Sequence, residues 1–253
     1  MLINSLRRET HVWYSIPESV RDPALLQRLK CTLSDAELDK YQRLRFPEDR
    51  HRYLVSHALV RETLSKYVDM PPAAWHFSHG EHGRPEIDVP DTPPLRFNMS
   101  HTEGLVCCTV TLDDDCGIDA EKITARHATS EIAKRMFSAD ENADLETLSG
   151  DAQLEYFYTC WTLREAYGKA RGLGITFPMR KLTFSFMRTQ SVQVTFDPDV
   201  KDNAALWDFQ LFRPTAAHIL ATASRSENHP VKRVRLKEFA FQPALVITTD
   251  TTA

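Results

Sequence analysis

Two carboxylates separated by one residue end an apolar segment in the middle of the chain. Asp119 and Glu121 lie in the sequence GIDAEK, which follows the run LVCCTVTL and three consecutive aspartates. Residues i and i+2 of a strand point to the same side, so both side chains are predicted to face one way. Like charges held together are costly unless a cation lies between them. Taken alone, however, an Asp-x-Glu pair on a solvated edge strand is common and needs no function.

A third carboxylate extends the apolar face of the strongest helix pattern in the chain. Leu154, Tyr158, Trp161 and Glu165 follow at spacings of four, three and four residues, which is one face of a helix. Glu165 on such a face must be paired, protonated or bound to a metal. The alternative is a surface pair with Lys169, four residues on, which contributes only about 0.3–0.5 kcal/mol. The aromatic residues one and two turns earlier argue against that polar face.

The three carboxylates form a hard, oxygen-rich donor set without cysteine or a required histidine. Such a set selects Mg²⁺, with Mn²⁺ as the alternative, over zinc. Magnesium commonly shares its coordination with substrate phosphates, yet the chain has neither a P-loop nor a dinucleotide-binding glycine motif. It also has no nucleophile elbow. A magnesium site without a nucleophile suits a transferase whose acceptor brings its own hydroxyl.

Basic and histidine side chains that could meet phosphate are dispersed rather than clustered in one motif. The candidates are Lys40, Arg43, Arg45, Arg50, His51, Arg52, Arg84 and His101, with Ser100 beside the last. For most of the helical members a solvated face is the simpler interpretation. His76, His79 and His82 have metal-like intervals but no fourth ligand, so we predict that they are structural or face solvent.

The element pattern predicts an α+β protein. Capping boxes at Ser34/Glu37 and Ser138/Glu141 begin helices, and Pro47 ends or kinks the first of them before a helix from about Glu48 to Tyr67. The strongest helix is closed by Gly172 and Gly174. Strands precede and follow each helical group, so the order strand, helices, strands occurs twice, although no repeat is evident in the letters. We predict subdomains at 1–112 and 113–230, the second carrying the metal site, and a partly disordered extension at 231–253.

Composition narrows the class of protein. The 253 residues are 42% hydrophobic and 26% charged with a net charge of −4, which fits a globular protein and gives no reason to expect nucleic-acid binding. The five cysteines are odd in number and lack a C-x-x-C pair, which argues against disulfides or zinc and favours a reducing cytoplasm. No signal peptide is evident and no apolar run is long enough to span a membrane.

Three motifs in order carry a family resemblance. FNMSH (97–101), GIDAEK (117–122) and WTLREAYGKARGLG (161–174) resemble the Sfp-type 4′-phosphopantetheinyl transferases. The resemblance extends through PEDRHRYLVSHALVRETLSKY and FSHGEHGRPEI, so it covers the chain from roughly Val12 to the strands near residue 225. It implies two similar α+β subdomains related by pseudo-twofold symmetry. It also implies transfer of the phosphopantetheine arm of coenzyme A to a serine of an apo carrier protein, with release of 3′,5′-ADP.

The same resemblance implies roles for individual residues. Asp119, Glu121 and Glu165 would hold Mg²⁺ against the coenzyme A pyrophosphate, and Glu165 would accept the serine proton directly or through a metal-bound water. Lys169 would stabilise charge on the phosphates or protonate the leaving ADP. The implied catalytic set is Asp119, Glu165, Lys169 and His101, and the implied coenzyme A-binding set is Lys40, Arg45, Arg52, Arg84, Ser100, His101 and Lys169.

Two residues depart from the family pattern, and the first of these departures puts little in doubt. Arg164 replaces the usual lysine before the helix glutamate and keeps its charge. Glu37 falls where Sfp has a basic coenzyme A contact, so other residues would hold the 3′-phosphate. The resemblance further implies a monomer, and it leaves the choice between fatty-acid, polyketide and nonribosomal-peptide carriers open. A non-catalytic coenzyme A or carrier-binding module, and a magnesium-dependent phosphohydrolase, are the alternative functions.

Overall fold

The computed structural model describes residues 2–80, 83–125, 129–172, 177–186, 191–227 and 232–242. His82, Gly174 and the tail from residue 243 lie outside the described residues, as do the predictions made for them. None of the helices in the described ranges is long and apolar enough to cross a membrane.

Six α-helices and eleven strands are present in the described part of the chain. The first half contains β1 (Glu9–Ser15), α1 (Pro23–Lys30), α2 (Asp35–Arg43), α3 (Pro47–Leu64), β2 (Phe77–His79), β3 (Pro85–Ile87), β4 (Leu95–Thr102) and β5 (Leu105–Leu112). The second half contains β6 (Asp115–Lys122), α4 (Thr129–Met136), α5 (Ala139–Glu146), α6 (Gly150–Arg171), β7 (Leu182–Ser185), β8 (Gln193–Phe196), β9 (Trp207–Thr215) and β10 (His218–Arg225). A last strand, β11 (Arg233–Glu238), follows.

The two halves share one topology. Each begins with a strand, continues with three helices and a short hairpin, and ends with two long strands. In the first half β1 pairs with β5 and β5 with β4, and in the second β6 pairs with β10 and β10 with β9, all antiparallel. This duplication confirms the α+β class with two similar subdomains. The predicted division of the chain into 1–112, 113–230 and 231–253 stays a prediction. Within the last of these ranges, β11 pairs in parallel with β1.

Both predicted capping boxes are present. Ser34 accepts from the backbone N–H of Glu37, whose carboxylate accepts from the backbone N–H of Ser34 at 2.8 Å. Ser138 and Glu141 form the same reciprocal pair at the start of α5. Pro47 occupies the first turn of α3, where its missing N–H has no partner to lose, so α2 and α3 are separate helices rather than one kinked helix.

A buried arginine repeats in the two halves. Arg61 of α3 bonds Glu37 at 2.7 Å and Arg164 of α6 bonds Glu141, so each arginine pairs with the capping glutamate of the preceding helix. The Arg61 guanidinium also donates to the backbone carbonyl of Trp75, just before its hairpin, and that of Arg164 donates to Leu182 within its hairpin. Each guanidinium lies over a phenylalanine of the hairpin that follows. Arg164 is 0% exposed. The positive charge at this position is therefore structural and does not reach substrate.

The arginines reveal a sequence repeat that was not evident beforehand. VRETLSK in α3 and just beyond it corresponds to LREAYGK in α6, which aligns Glu62 with Glu165 and Lys66 with Lys169. Only three of the seven letters are identical. The match is recognisable because both arginines have the same kind of partners in space.

The two sheets meet edge to edge where β4 lies beside β6. Their connection is made by side chains of β4 and not by a backbone ladder. Asn98 accepts from the backbone N–H of Ile118 at 3.1 Å, and Ser100 donates to Asp119 at 2.9 Å. Since alternate residues of β4 point to one side, these two side chains face β6 together. This seam positions the GIDAEK segment against the first half.

Candidate active site

Helix α6 packs directly on β6 at Gly117. A Cβ atom built there would lie 2.0 Å from the carbonyl oxygen of Ala166 and 2.5 Å from the backbone nitrogen of Ala170. Only glycine permits this backbone-to-backbone approach. The approach brings the last turns of α6 over the strand that carries the predicted carboxylates.

Asp119, two residues along the same face of β6, meets Lys169 of α6. The Lys169 ammonium donates to Asp119 Oδ1 at 2.7 Å and to the hydroxyl of Ser100 at 2.9 Å. Ser100 in turn donates to the same Asp119 oxygen at 2.9 Å. Three residues that are distant in sequence thus form one bonded cluster at the seam. The i to i+4 surface pair considered for Lys169 and Glu165 is not the main contact of the lysine, since its ammonium bonds Asp119.

Glu165 lies close enough to Asp119 for the two charges to interact. Partial burial and the Asp119 carboxylate raise the pKa of Glu165, while the Lys169 ammonium opposes that rise. Burial alone would lower the pKa of Lys169, but the charge and hydrogen bond of Asp119 outweigh it and the pKa is raised. The pKa values of Glu165 and Lys169 therefore depend on the neighbouring charges of the site, as is common in functional clusters.

Glu121 continues the face of β6 one step further. Its Oε1 accepts from the indole N–H of Trp161 at 3.1 Å. Strand β6 therefore runs along α6. Gly117 and Asp119 contact the last turns of the helix, and Glu121 contacts Trp161, which lies more than one turn earlier. The predicted same-side arrangement of Asp119 and Glu121 is seen in the structure. Trp161, predicted only as part of an apolar stripe, orients a candidate ligand.

A cleft of about 750 Å³ opens in front of this cluster. Its walls come from both halves, and the predicted residues among its lining are Lys40, Ser100, His101, Asp119, Glu121 and Lys169. A neighbouring hollow of about 360 Å³ shares Lys169 and adds Glu165 and Arg84. The charged groups of the two halves therefore face a common space of a size that suits a nucleotide-containing ligand.

The cleft also contains a histidine that sequence reasoning missed. His57 of α3 bonds Glu37 at 2.8 Å, and its ring stacks on Tyr53 at a centroid distance of 4.0 Å. Burial would raise the pKa of Glu37, but hydrogen bonds from His57 and the backbone of Ser34, with the charge of Arg61, lower it to about 2. Glu37, which departs from the family pattern, is thus engaged by its own neighbours. The i to i+4 spacing of Tyr53 and His57 was the available signal.

His101 projects at the rim where the main cleft meets a second hollow lined in part by Arg52. Desolvation, followed by the charges of Arg52, His57 and Lys169, lowers the pKa of His101. Burial and the nearby positive groups therefore favour the neutral form of the His101 imidazole.

The structure separates the predicted arginines from one another. Arg84 donates to the carbonyls of Ala170 and Cys116 and pairs with Glu86 at 3.1 Å, so it braces the junction of β6 and α6. Arg52 bonds a carboxylate of its own helix. Arg45 is exposed and its guanidinium lies over the ring of the following phenylalanine, away from the cleft lining. Lys40 does line the cleft, with its ammonium 5.6 Å from a tyrosine ring centroid.

The donor atoms of this region fit a hard divalent cation. Asp119 is 5% exposed, and its Oδ2 atom is buried without a hydrogen-bond partner. A buried carboxylate oxygen without a donor is costly and calls for a cation. Within the described ranges no three His, Cys, Asp or Glu side chains stand together as a ready-made metal cluster. Asp119, with Glu121 and Glu165 beside it, therefore supplies oxygen donors that still need substrate or water to complete a coordination shell.

The first half lacks this chemistry at the equivalent place. Trp13 faces the fourth residue of β5, as Asp119 faces the fourth residue of β10, so tryptophan stands where the second half has its aspartate. The lysine equivalent to Lys169 is Lys66, whose ammonium lies 5.8 Å from the Trp13 ring and 4.7 Å from that of Phe239. One half of the duplicated fold carries the acidic site and the other supplies a wall.

An acidic cluster and a lysine at the seam of a duplicated α+β fold, beside a nucleotide-sized cleft, define an enzyme that handles phosphorylated ligands. Comparison with protein families specifies which. The profile of the 4′-phosphopantetheinyl transferase superfamily matches residues 115–223, and that of the 4′-phosphopantetheinyl transferase N-terminal domain matches residues 22–112.

Individual relatives agree with the profiles. The 4′-phosphopantetheinyl transferase Sfp of Bacillus subtilis is 35% identical over 68% of this chain and 75% of its own length. The 4′-phosphopantetheinyl transferase HetI of a Nostoc species is 34% identical over 67% of this chain and 71% of its own length. A second B. subtilis 4′-phosphopantetheinyl transferase is 35% identical over 60% of this chain, and the match spans 66% of that protein. The chain belongs to the 4′-phosphopantetheinyl transferase family and is a transferase enzyme.

Among solved structures, a holo-(acyl-carrier-protein) synthase of Bacillus anthracis in complex with coenzyme A (3′,5′-ADP) aligns with 44% of this chain and 94% of its own. The TM-score is 0.37 and the identity 16%.

Proposed function

We propose that this enzyme moves the 4′-phosphopantetheine arm of coenzyme A to a serine of an apo acyl or peptidyl carrier protein and releases 3′,5′-ADP. The observation that carries the proposal is the bonded cluster of Asp119, Ser100 and Lys169, which joins β6, β4 and α6 at the wall of the cleft. The relatives that share most of the chain are named for this activity.

Two residues of the chain suit the proton and charge movements of the reaction. The serine oxygen attacks the phosphorus that bears the pantetheine arm, the bond to the oxygen of the ADP phosphate breaks, and the serine proton must be taken up. Glu165 suits the acceptor role because burial and the Asp119 charge raise its pKa, which makes it a better base. Lys169 suits the departing phosphate, because its charge balances the charge that collects on the leaving oxygen.

The remaining site residues bind and orient. Ser100 and His101 lie at the cleft wall beside Lys169 and face the space where the pyrophosphate would lie, and Lys40 lines the same cleft. Asp119, Glu121 and Glu165 are the side chains that would hold Mg²⁺ or Mn²⁺. When bound, that ion would neutralise pyrophosphate charge during transfer.

The activity is tested by incubating the protein with Mg²⁺, coenzyme A and several apo carriers and weighing the carriers. We expect one carrier or more to gain a single phosphopantetheine group. No gain on any carrier of a fatty-acid, polyketide and nonribosomal-peptide panel contradicts the proposal. Release of 3′,5′-ADP without an acceptor would instead indicate a phosphohydrolase.

The role of Glu165 is tested by Glu165→Gln, which keeps the shape of the side chain but removes its basicity. We expect transfer to fall by about 10²-fold or more, with unchanged circular dichroism. Glu155→Gln on the same helix is the control, since Glu155 pairs with Arg213 outside the cleft. Equal activity of the two variants would refute the assignment.

Several further predictions accompany this proposal. We propose that the enzyme works as a monomer in the cytoplasm without binding nucleic acid or a membrane. The mass measurements on the carrier panel described above will show which of the fatty-acid, polyketide and nonribosomal-peptide carriers the enzyme modifies.

A further inference from the structure

Lys169 uses its charge in a way that the transfer reaction does not require. Two of the three ammonium hydrogens are committed to Asp119 and Ser100, at 2.7 and 2.9 Å. The ammonium therefore contacts the candidate metal ligand, although Lys169 also borders the cleft where an anionic substrate would lie. A lysine that only awaited phosphate would gain more by facing that space.

The pairing leaves the cluster short of positive charge. Asp119 and Glu165 share the single charge of Lys169, and burial, followed by the charge of Asp119, raises the pKa of Glu165. Asp119 Oδ2 has no donor at all. One ammonium thus satisfies one oxygen of the buried carboxylate and leaves the other oxygen unpaired.

A divalent cation bound at the unpaired Oδ2 of Asp119 would lie close to the ammonium that Oδ1 accepts from. Both would bear positive charge against the same small carboxylate, and at such separations like charges repel strongly in a partly buried site. The Lys169 side chain has space to change its conformation, because it is 29% exposed and borders both hollows of the cleft. Its four-carbon stem can turn without moving α6.

We propose that Lys169 is an exchangeable counter-ion, which holds Asp119 until a divalent cation binds and is then displaced into the cleft to meet the substrate phosphates. The lysine so keeps the carboxylates together in the metal-free protein. The same displacement couples the two ligands, since a cation on Asp119 frees the ammonium for the anion and an anion that holds the ammonium frees Asp119 for the cation. Such coupling is reciprocal by thermodynamic necessity.

The exchange predicts an outcome opposite to that of a simple supporting role. If Lys169 competes with the cation, then Lys169→Met should bind Mn²⁺ more tightly than the wild type in the absence of coenzyme A, by about tenfold. If the lysine only organises the site, its loss should weaken Mn²⁺ binding or leave it unchanged. The affinity is read from the electron paramagnetic resonance signal of free Mn²⁺, which is independent of activity.

A matched control separates a local exchange from a change in overall charge. Lys181 pairs with Asp199 at 2.9 Å on the surface. Lys181→Met therefore also removes one positive charge and one lysine–aspartate ion pair. We expect the Mn²⁺ affinity of Lys181→Met to equal that of the wild type. Equal tightening in both variants would overturn the inference, because the effect would then be one of net charge.

Stability supplies a second readout if Lys169→Met folds poorly. Lys169→Gln retains a hydrogen-bond donor without the charge, and Mg²⁺ alone should raise its melting temperature more than it raises that of the wild type. An equal or smaller rise overturns the exchange.

The exchange rests on the proposed function only for the identity of the anion. A protein that modifies carriers while Lys169→Met and Lys169→Gln bind metal no better than the wild type keeps its function and loses the exchange. If both variants bind metal more tightly but the wild-type protein modifies no carrier, the exchange stands and the proposed function falls.

Discussion

Gly117→Ala should disable the enzyme while leaving most of its structure intact. The new methyl group would lie 2.0 Å from the carbonyl oxygen of Ala166, whereas an ordinary contact begins near 3.4 Å, so α6 must retreat from β6 by about 1.4 Å. The obstacle is backbone and cannot rotate aside. Forcing extra volume into a packed contact of this kind costs about 1–3 kcal/mol of folding free energy.

The functional cost should exceed the loss of stability. Glu165 and Lys169 sit on the helix that moves, and Asp119 sits on the strand that stays. A misplacement of about 1 Å between reacting groups can lower a rate by about 10²-fold. We therefore expect transfer to carrier to fall by about that factor, measured by mass spectrometry of the carrier at saturating coenzyme A.

Two measurements make the prediction refutable. Urea unfolding should give a folded protein weakened by about 1–3 kcal/mol. Gly80→Ala, where the nearest atom to a new Cβ is 3.8 Å away, should behave as the wild type in both assays. Wild-type transfer by Gly117→Ala would show that the close approach of α6 does not set the geometry of the site.

Two further changes probe the scaffold. Glu37→Gln leaves Arg61, which is 2% exposed, without its anionic partner and should cost about 3 kcal/mol at pH 7. Because the folded pKa of Glu37 is lowered to about 2, its contribution is present above the unfolded value of 4.5 and is lost as the pH falls toward 2, so urea titrations should show the difference from the wild type shrinking over that window. A pH-independent difference would contradict this account. Phe239→Ala removes a buried ring that packs on Trp13 and should lower the free energy of unfolding by about 3 kcal/mol, and an unaffected unfolding curve would show that the C-terminal segment does not stabilise the first half.

Local signals in the sequence predicted much of the fold. Both capping boxes begin helices where expected, and Gly172 closes α6 in the left-handed conformation at φ 62°. The strand pattern located Asp119 and Glu121 on one face because a two-residue period needs no knowledge of neighbours. These features depend on interactions within a few residues, which is why the letters alone carry them.

Other features depend on contacts that no local pattern encodes. The burial of Arg164 follows from the position of Glu141 and of the hairpin after α6, which the letters around it do not reveal. The engagement of Arg84 with two backbone carbonyls is likewise set by tertiary packing. In both cases a basic residue near a motif satisfies the protein's own oxygens. Spacing cannot distinguish that role from phosphate binding.

The pairing of Lys169 with Asp119 was also beyond the sequence. The i to i+4 relation pointed to Glu165, whereas the close approach at Gly117 delivers a different carboxylate to the ammonium. Gly117 of GIDAEK allows this close approach, but the sequence does not show which helix packs against it.

The parallel pairing of β11 with β1 has a consequence for how the molecule is made. The flank of β1 that pairs with β11 is covered only when residues 233–238 have been synthesised, so its sheet is completed after the second half. Contacts between residues this distant in sequence slow folding, because the entropy of closing a long loop is lost before the contacts form. A fragment cut at the duplication boundary would keep a bare strand edge and invite association with other chains. The duplicated halves therefore resemble independent units in outline, yet the first half completes its sheet only with β11, which follows the second half in the sequence.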